Sequence, residues 1–120
     1  MARKSRELAH RKGHWAETVA GLLLQAKGYR ILARRYKSPV GEIDLIARRR
    51  RRLTFVEVKL RATIDDAAWS VSAHQQNRII RAAEHWVSRH AQHAALDIAF
   101  DVILLAPWTA PRHIQDAFRV

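Results

Sequence analysis

Apolar residues recur with the spacing of an α-helix in two segments of the chain. The first segment covers residues 6–27, and Gly28, which follows it, is a typical helix stop signal. The second runs from Ser72 to about His90, and Ser72 with Gln75 forms the S-x-x-Q capping box found at helix starts. The predicted apolar stripes are Trp15, Val19, Leu22, Leu23 and Ala26 in the first helix and Ile79, Ile80, Ala83, Trp86, Val87 and His90 in the second.

Four other segments have the pattern of β-strands. Residues 29–36 have a basic side, and residues 42–48 and 53–60 are the clearest strands, mostly apolar with a few charged residues. The short basic run from Arg49 to Arg52 predicts a hairpin loop between the last two of these strands. Residues 98–105 are almost continuously apolar, which is typical of a central strand covered on both faces.

The order of these elements is helix, three strands, helix and strand. The tail, residues 113–118, could add an edge strand or a short helix. This order predicts an α/β fold in which helices flank a mixed central β-sheet. The 120 residues suit a single domain, in which residues 1–12 would be a basic N-terminal arm that could be flexible.

Composition and charge narrow the classes of function. The chain has no cysteine, which excludes disulfides, thiolate zinc sites and a thiol nucleophile. It has no apolar run long enough for a membrane span and no secretory signal, so we expect a cytoplasmic protein without a membrane partner. Lys and Arg number 22 against 11 Asp and Glu, which gives a net charge of +11. Such a charge favours the binding of polyanions. Nucleic acid is the first expected partner, followed by ribosomal surfaces and anionic lipid.

Three charged residues interrupt the central strands: Asp44, Glu57 and Lys59. If Arg48 is opposite Leu53 in the hairpin, Asp44 is opposite Glu57 and Glu42 is opposite Lys59. The other faces of the two strands are then apolar, with Ile43, Leu45 and Ala47 beside Thr54, Val56 and Val58. A slip of one residue would set charged positions against apolar ones, so the pattern supports this register.

Two carboxylates about 5 Å apart repel each other and favour a cation between them. Lys59 offers one positive charge, and the oxygen ligands would also suit Mg²⁺ or Mn²⁺. A metal there would polarise a phosphoryl oxygen and acidify a bound water. Lys59 could orient or deprotonate that water, or stabilise the developing negative charge. The alternative is a set of ordinary ion pairs on a solvated sheet face.

The two strand motifs resemble those of a known family. The run from Gly41 to Ala47 (Gly-Glu-Ile-Asp-Leu-Ile-Ala), followed after a short basic loop by Phe55 to Lys59 (Phe-Val-Glu-Val-Lys), is similar to the YraN-like family of small bacterial predicted endonucleases. That resemblance implies a restriction-endonuclease-like core of the PD-(D/E)xK superfamily, related in fold to Holliday-junction resolvases. It also implies metal-dependent hydrolysis of phosphodiester bonds in DNA, including branched or structured DNA, leaving a 5′-phosphate and a 3′-hydroxyl.

The resemblance assigns roles to individual residues. Asp44 and Glu57 would bind the Mg²⁺ or Mn²⁺ ion with the carbonyl oxygen of Val58, and Lys59 would be the catalytic lysine. Glu17 in the first helix matches a further acidic metal position. The polar helix residue near the phosphate would be Gln76. Glu42, on the same strand face, is an accessory candidate that either pairs with Lys59 or reaches the metal, and pairing is the favoured interpretation.

The nucleic-acid contacts are expected from basic and aromatic side chains. Adjacent to a metal site, the run from Arg48 to Arg52 would act as a phosphate clamp. Trp69, in the irregular segment after the third strand, is the best base-stacking candidate, whereas the other three tryptophans are expected in the core. The expected contacts are Arg48, Arg49, Arg50, Arg51, Arg52, Arg61, Gln76, Arg78 and Trp69.

Asp101 interrupts the most apolar strand and is expected to be buried with a hydrogen-bonding or Arg partner. The resemblance to resolvases, which act as dimers on symmetric substrates, implies that a homodimer could form. Two other classes of function stay open. One is a module with a nuclease fold that binds structured nucleic acid without cutting it. The other is a subunit whose basic surface binds an acidic protein partner.

Overall fold

Five strands form one β-sheet, and two helices pack against it, in a computed structural model of the chain. The structure describes residues 2–62 and 71–120, with side chains from residue 14 onward. The elements are α1 Ala2–Ala26, β1 Arg30–Ser38, β2 Gly41–Arg49, β3 Arg52–Leu60, α2 Ala73–Ser88, the short 3₁₀ helix Ala91–His93, β4 Asp97–Leu105 and β5 Arg112–Phe118.

The sheet order is β1-β2-β3-β4-β5. The pairs are antiparallel except for β3 and β4, which run parallel and are connected through α2. This architecture confirms the predicted α/β class, with a mixed sheet and the order α-β-β-β-α-β, and the tail adds β5 as an edge strand. Among the described residues, no helix combines the length and the apolar character needed to span a bilayer.

Helix α1 ends at the predicted signal. Gly28 has a φ of 92°, a left-handed conformation that glycine adopts without steric cost. The Gly28 N–H donates to Gln25 O at 3.0 Å, and the Tyr29 N–H donates to Leu24 O at 2.9 Å. These two bonds form a Schellman motif, which satisfies the last carbonyls of the helix and directs the chain into β1.

The predicted inward stripe of α1 is confirmed only in part, since Val19 and Leu23 are half-buried against the core but the other members are not. The most buried side chains of this helix are Ala16, Ala20 and Leu24, whereas Trp15 is 53% exposed and Leu22 is 60% exposed. Ala16 and Ala20 are small, so the helix axis can approach the sheet closely. The larger side chains of Trp15 and Leu22 are thereby rotated away from the core. Apolar spacing alone therefore indicated the helix correctly but only part of its inward face.

The sheet has a core on each side. The α2 side contains stacked aromatic rings, with 5.8 Å between the Phe55 and Phe100 centroids and 5.0 Å between those of Phe100 and Phe118. On the α1 side, Leu24 packs with Ile103 of β4 and other apolar residues. Strand β4 contributes to both cores, as its continuous apolar sequence predicted. Trp86 lies in the α2-side core as expected, but Trp108 is fully exposed.

The register between β2 and β3 confirms the prediction over five pairs. Arg48 pairs with Leu53, and the pairs extend from Arg49–Arg52 to Leu45–Val56. The connecting turn is only Arg50 and Arg51, because the strands continue one residue farther on each side than expected. Arg50 has a φ of 55°, a left-handed conformation that allows this tight connection.

Candidate functional site

Strands β2 and β3 separate at the position where the charged residues begin. Their pairing ends at Leu45–Val56, and the next residue, Asp44, accepts the N–H of Val58 through Oδ2 at 2.8 Å. Ile43 lies in the α2-side core, whereas Leu45 lies in the α1-side core. The predicted apolar face that included Ile43 is therefore interrupted, because β2 changes orientation at Asp44. The separation leaves an opening between the two strands that Asp44 lines.

Glu57 lies on the α2 side of this opening and is held by helix α2. Glu57 Oε1 accepts a hydrogen bond of 3.0 Å from the side-chain amide of Gln75. Ser72 Oγ accepts the Gln75 N–H at 3.1 Å, so Ser72 is the N-cap, as predicted. The capping box is not completed by the Gln75 side chain, which contacts Glu57 instead. Gln76 donates its amide to Val71 O at 2.9 Å. The polar helix residue that contacts Glu57 is thus Gln75, one position before the expected Gln76.

The two carboxyl groups have perturbed acidities. Burial raises the pKa of Asp44 to about 6, and the charges of Glu17 and Glu42 add to the effect against the Val58 hydrogen bond. Burial raises the pKa of Glu57 to about 7, and the charge of Asp44 adds to it. Lys59 opposes both increases but does not cancel them. The pair therefore lacks positive charge, and a cation between the carboxylates would stabilise their ionised forms.

The donor atoms at the opening fit a hard divalent cation. The N–H and C=O of one strand residue point to the same side, so the Val58 carbonyl lies on the edge where its N–H meets Asp44. With Asp44 and Glu57 this makes three oxygen donors, the kind that Mg²⁺ and Mn²⁺ prefer. Among the described residues, no three His, Cys, Asp or Glu side chains form a metal cluster. Two carboxylates suffice for Mg²⁺, which usually keeps several waters and binds substrate phosphates.

Glu17 reaches the opening but has a partner of its own. Its carboxylate accepts a hydrogen bond from Arg35 Nε and is half-buried, and it lines a cavity of about 210 Å³ with Asp44.

Glu42 lines the same cavity as Glu17. The favoured pairing of Glu42 with Lys59 is wrong, since among the described residues no ion pair joins them. Glu42 is instead in register with Lys37 of β1, because β2 has already diverged from β3.

A larger cavity of about 430 Å³ opens between the carboxylates and the first turns of α2. Arg78 lies on its wall, and Arg61 is close enough to Glu57 to oppose the rise in the pKa of that residue. Both predicted cations are therefore near the site. His74 was not foreseen, because an exposed residue in a first helical turn carries no sequence signal of its own. The cavity is lined by Glu42, Asp44, Glu57, His74, Gln75, Arg78 and Ile79.

The arginines of the hairpin are not adjacent to the carboxylates, contrary to expectation. Arg49 lies five residues after Asp44 in β2, which corresponds to about 16 Å along the strand. The run from Arg48 to Arg52 therefore lies at the opposite end of the sheet. Several of its side chains contact groups there: Arg48 contacts Arg50 O and His93, Arg49 contacts Lys27 O, and Arg51 contacts Ala95 O.

Arg52 has an internal role. Its two terminal nitrogens donate to the two Asp101 oxygens at 2.7 and 2.8 Å. Asp101 is completely buried, and its pairing with Arg52 confirms the sequence interpretation. Burial alone would raise the pKa of Asp101, but the hydrogen bonds from Arg52, His113 and the Asp116 N–H together hold it well below its usual range. Trp69, the stacking candidate, lies outside the described residues.

The chain is similar to many bacterial proteins. A model of the "Uncharacterised protein family UPF0102" matches residues 16–105. A UPF0102 protein of Bradyrhizobium diazoefficiens is 52% identical over 118 residues, covering 98% of this chain and 89% of the relative. A UPF0102 protein of Bradyrhizobium sp. (strain ORS 278) is 55% identical over 117 residues, covering 98% and 83%. One from Rhodopseudomonas palustris (strain BisB18) is 53% identical over 117 residues, covering 98% and 87%. The chain therefore belongs to the UPF0102 family, the YraN-like family that its strand motifs resemble.

Proposed function

We propose that this protein is a metal-dependent endonuclease that hydrolyses phosphodiester bonds in DNA. One observation carries the proposal: Asp44 and Glu57 share a half-buried opening between two strands, beside Lys59, with pKa values raised to about 6 and about 7. A fold gains no stability from two desolvated carboxylates that repel each other. Such an arrangement is typical of a functional site. The acid, acid and lysine set is that of the PD-(D/E)xK nucleases, which the sequence resembles.

Asp44, Glu57 and the Val58 carbonyl would hold the metal. Mg²⁺ or Mn²⁺ bound there would polarise a phosphoryl oxygen and lower the pKa of a coordinated water. The Val58 N–H orients the Asp44 carboxylate, and the Gln75 amide orients that of Glu57. Each acid is thus fixed by one hydrogen bond before any ligand arrives. Fixed donors avoid the free-energy cost of reorganisation during the reaction.

Lys59 supplies the positive charge next to the reacting phosphate. It lies on the same strand face as Glu57, two residues away, and its charge favours the ionised form of both carboxyl groups. Its ammonium form can hold the attacking water or stabilise the negative charge that develops on the phosphate, and its neutral amine form can deprotonate that water. Both roles need the lysine close to the carboxylates, so both predict the loss of activity in Lys59→Ala.

The cavity beside the carboxylates would receive the substrate backbone. It is bordered by Arg78, with Arg61 near Glu57, and both are cations exposed to solvent. Arginine forms bidentate hydrogen bonds with phosphate oxygens, which would position a strand for attack. His74 on the same wall provides a further donor. A DNA strand therefore meets positive charge on α2 and, after Leu60, on the chain that leaves β3.

A cleavage assay tests the proposal. Labelled linear duplex, single strand, flap, four-way junction and RNA would be incubated with Mn²⁺, Mg²⁺ or EDTA. The expected result is metal-dependent cutting of DNA that Asp44→Asn abolishes. Asp44→Asn is a suitable variant because an Asn oxygen can still accept the Val58 N–H. Cutting that persists in this variant would indicate a contaminant or a wrong site.

The same assay separates the other two classes of function. If neither protein cuts and both bind structured nucleic acid equally well, the chain is a non-catalytic binding module. If both bind every polyanion weakly and without preference, the basic surface is better explained by an acidic protein partner. Pull-down of a stable protein complex would support that third outcome.

A further inference from the structure

A second cationic cleft lies at the hairpin end of the sheet, away from the carboxylates. It has a volume of about 560 Å³, and five of its six lining residues are Lys or Arg. Its position follows from the β2–β3 turn and from the end of α1, which meet there. The lining residues are Lys27, Arg49, Arg50, Arg51, Arg52 and Asp97.

A buried relay fixes Lys27 at this cleft. His113 Nε2 is 2.8 Å from Asp101 Oδ2, and His113 Nδ1 is 2.9 Å from Lys27 Nζ. An ammonium can only donate, so Nδ1 accepts and the ring proton is on Nε2, donated to Asp101. The His113 side chain is 1% exposed, whereas Lys27 is exposed to solvent. The relay therefore runs from a buried carboxylate to a surface cation.

The fold does not need Lys27 to satisfy Asp101. That carboxylate already has Arg52, His113 and the Asp116 N–H as donors. The contact with Lys27 is thus an addition at the outer end of the network. It orients the ammonium and leaves that group two further N–H donors.

Arg49 is fixed beside Lys27 by two contacts. Its Nη1 donates to Lys27 O at 3.0 Å, and its guanidinium carbon lies 4.6 Å from the centroid of the Tyr29 ring. Hydrogen bonding and cation–π stacking together restrict the side chain. Two oriented cations on one wall differ from the mobile lysines and arginines of an ordinary basic surface, because less conformational entropy is lost when an anion binds.

We propose that this cleft is a second binding site for a backbone phosphate of nucleic acid, with Lys27 and Arg49 as its principal ligands. The identity of the polyanion rests on the proposed nuclease function. The cleft lies on the α1 side of the sheet, about 16 Å along β2 from Asp44. The two sites lie on opposite faces of the sheet, so the path between them is longer than this distance, and the bound nucleic acid extends more than about five nucleotide steps beyond the reacting phosphate. Mononucleotides and very short oligonucleotides cannot occupy both sites.

The salt dependence of binding tests the proposal. Binding of a labelled DNA duplex would be measured by fluorescence anisotropy in EDTA over a series of salt concentrations. Lys27→Ala is compared with Arg81→Ala, which removes the same charge from an exposed position on α2 outside both cavities. We expect Lys27→Ala to reduce the slope of log affinity against log salt by about 0.9, the loss of one phosphate contact. Arg81→Ala should leave the slope unchanged.

His113→Gln tests the relay without removing the charge of Lys27. We expect it to weaken binding in the wild-type background and to have no further effect in Lys27→Ala. Additive effects would show that His113 acts through stability alone and would overturn the relay. Thermal unfolding and circular dichroism on each variant check that it folds.

The outcomes for the cleft and for the nuclease are distinguishable. A slope that Lys27→Ala leaves unchanged, or that Arg81→Ala lowers equally, rejects the second site even if the wild type cuts DNA. A slope that only Lys27→Ala lowers, in a protein that never cuts, supports the phosphate site and rejects the nuclease. Metal-dependent cutting with the expected slopes supports both.

Discussion

The side-chain amide of Gln75 donates to Glu57 Oε1 at 3.0 Å, whereas the adjacent Gln76 donates to Val71 O. Only the first glutamine therefore connects α2 to a candidate metal ligand. We expect Gln75→Ala to lower the rate of DNA cleavage about tenfold or more, since a hydrogen bond to a charged group contributes about 1.5–3 kcal/mol. DNA affinity in EDTA should change little.

Gln76→Ala is the matched control for this prediction. It removes the same side chain one position along the same helix turn, but its lost bond is to a backbone carbonyl. Single-turnover cleavage rates and DNA binding would be measured for both variants. Equal rates for the two variants would contradict a positioning role for Gln75.

The two raised carboxyl pKa values imply that the ionised pair lowers the stability of the folded protein. Replacing Asp44 by Asn removes a desolvated negative charge next to Glu57 while retaining an acceptor for the Val58 N–H. We expect Asp44→Asn to raise the free energy of unfolding by on the order of 1–2 kcal/mol at about pH 8 without metal. Urea unfolding in EDTA measures this change. A less stable Asp44→Asn protein would contradict the proposed repulsion.

The same pKa shifts predict how stability depends on pH. Between the usual values near 4 and the folded values of about 6 and about 7, the folded chain holds protons that the unfolded chain has lost. The metal-free protein should therefore lose stability as pH rises through this window. The pKa of Asp101 is shifted in the opposite direction, downward, so the stability that Asp101 contributes is lost only in stronger acid. Thermal unfolding in EDTA across this range, with Asp44→Asn as the comparison, should show the flatter profile in the variant.

Metal addition should reverse the loss of stability that the metal-free protein shows as pH rises. A divalent cation binds the ionised carboxylates of the folded state, so Mn²⁺ or Mg²⁺ should raise the melting temperature at about pH 8 and have little effect near pH 5. Asp44→Asn should lose most of the response at the higher pH. A stabilisation of equal size in wild type and variant at both pH values would place the metal elsewhere.

Strand alternation predicted the central part of the site. The charged positions of β2 and β3 fixed the register at Arg48–Leu53, and this register brought Asp44, Glu57 and Lys59 to one end of the sheet. It could not show that the strands separate beyond Leu45, because no residue there is a glycine or proline that marks a break. Glu42 was consequently assigned to Lys59 when it is in register with Lys37.

The remaining differences arise from tertiary packing. Arg52 lies on the same face of β3 as the apolar residues Val56 and Val58, which indicates an inward position. Its partner Asp101, however, is 49 residues away in sequence. The inward face of α1 depends on the close approach of Ala16 and Ala20 to the sheet. The sequence spacing of apolar residues does not encode that distance. Gln75 matched a local capping motif, and that match concealed its contact with Glu57.

Gly41 lies directly against the backbone of helix α2, and this contact sets the distance between the helix and the site. A Cβ at Gly41 would be 3.0 Å from the Arg78 carbonyl carbon and closer to its oxygen, so Gly41→Ala must displace the helix that carries Gln75 and Arg78. We expect a loss of about 1–3 kcal/mol in stability and a larger than tenfold loss in cleavage. Gly21→Ala is the control, because its Cβ meets only the end of the flexible Arg34 side chain, and a helical alanine should keep or raise stability. Urea unfolding and cleavage rates compare the two, and equal behaviour would refute the importance of this contact.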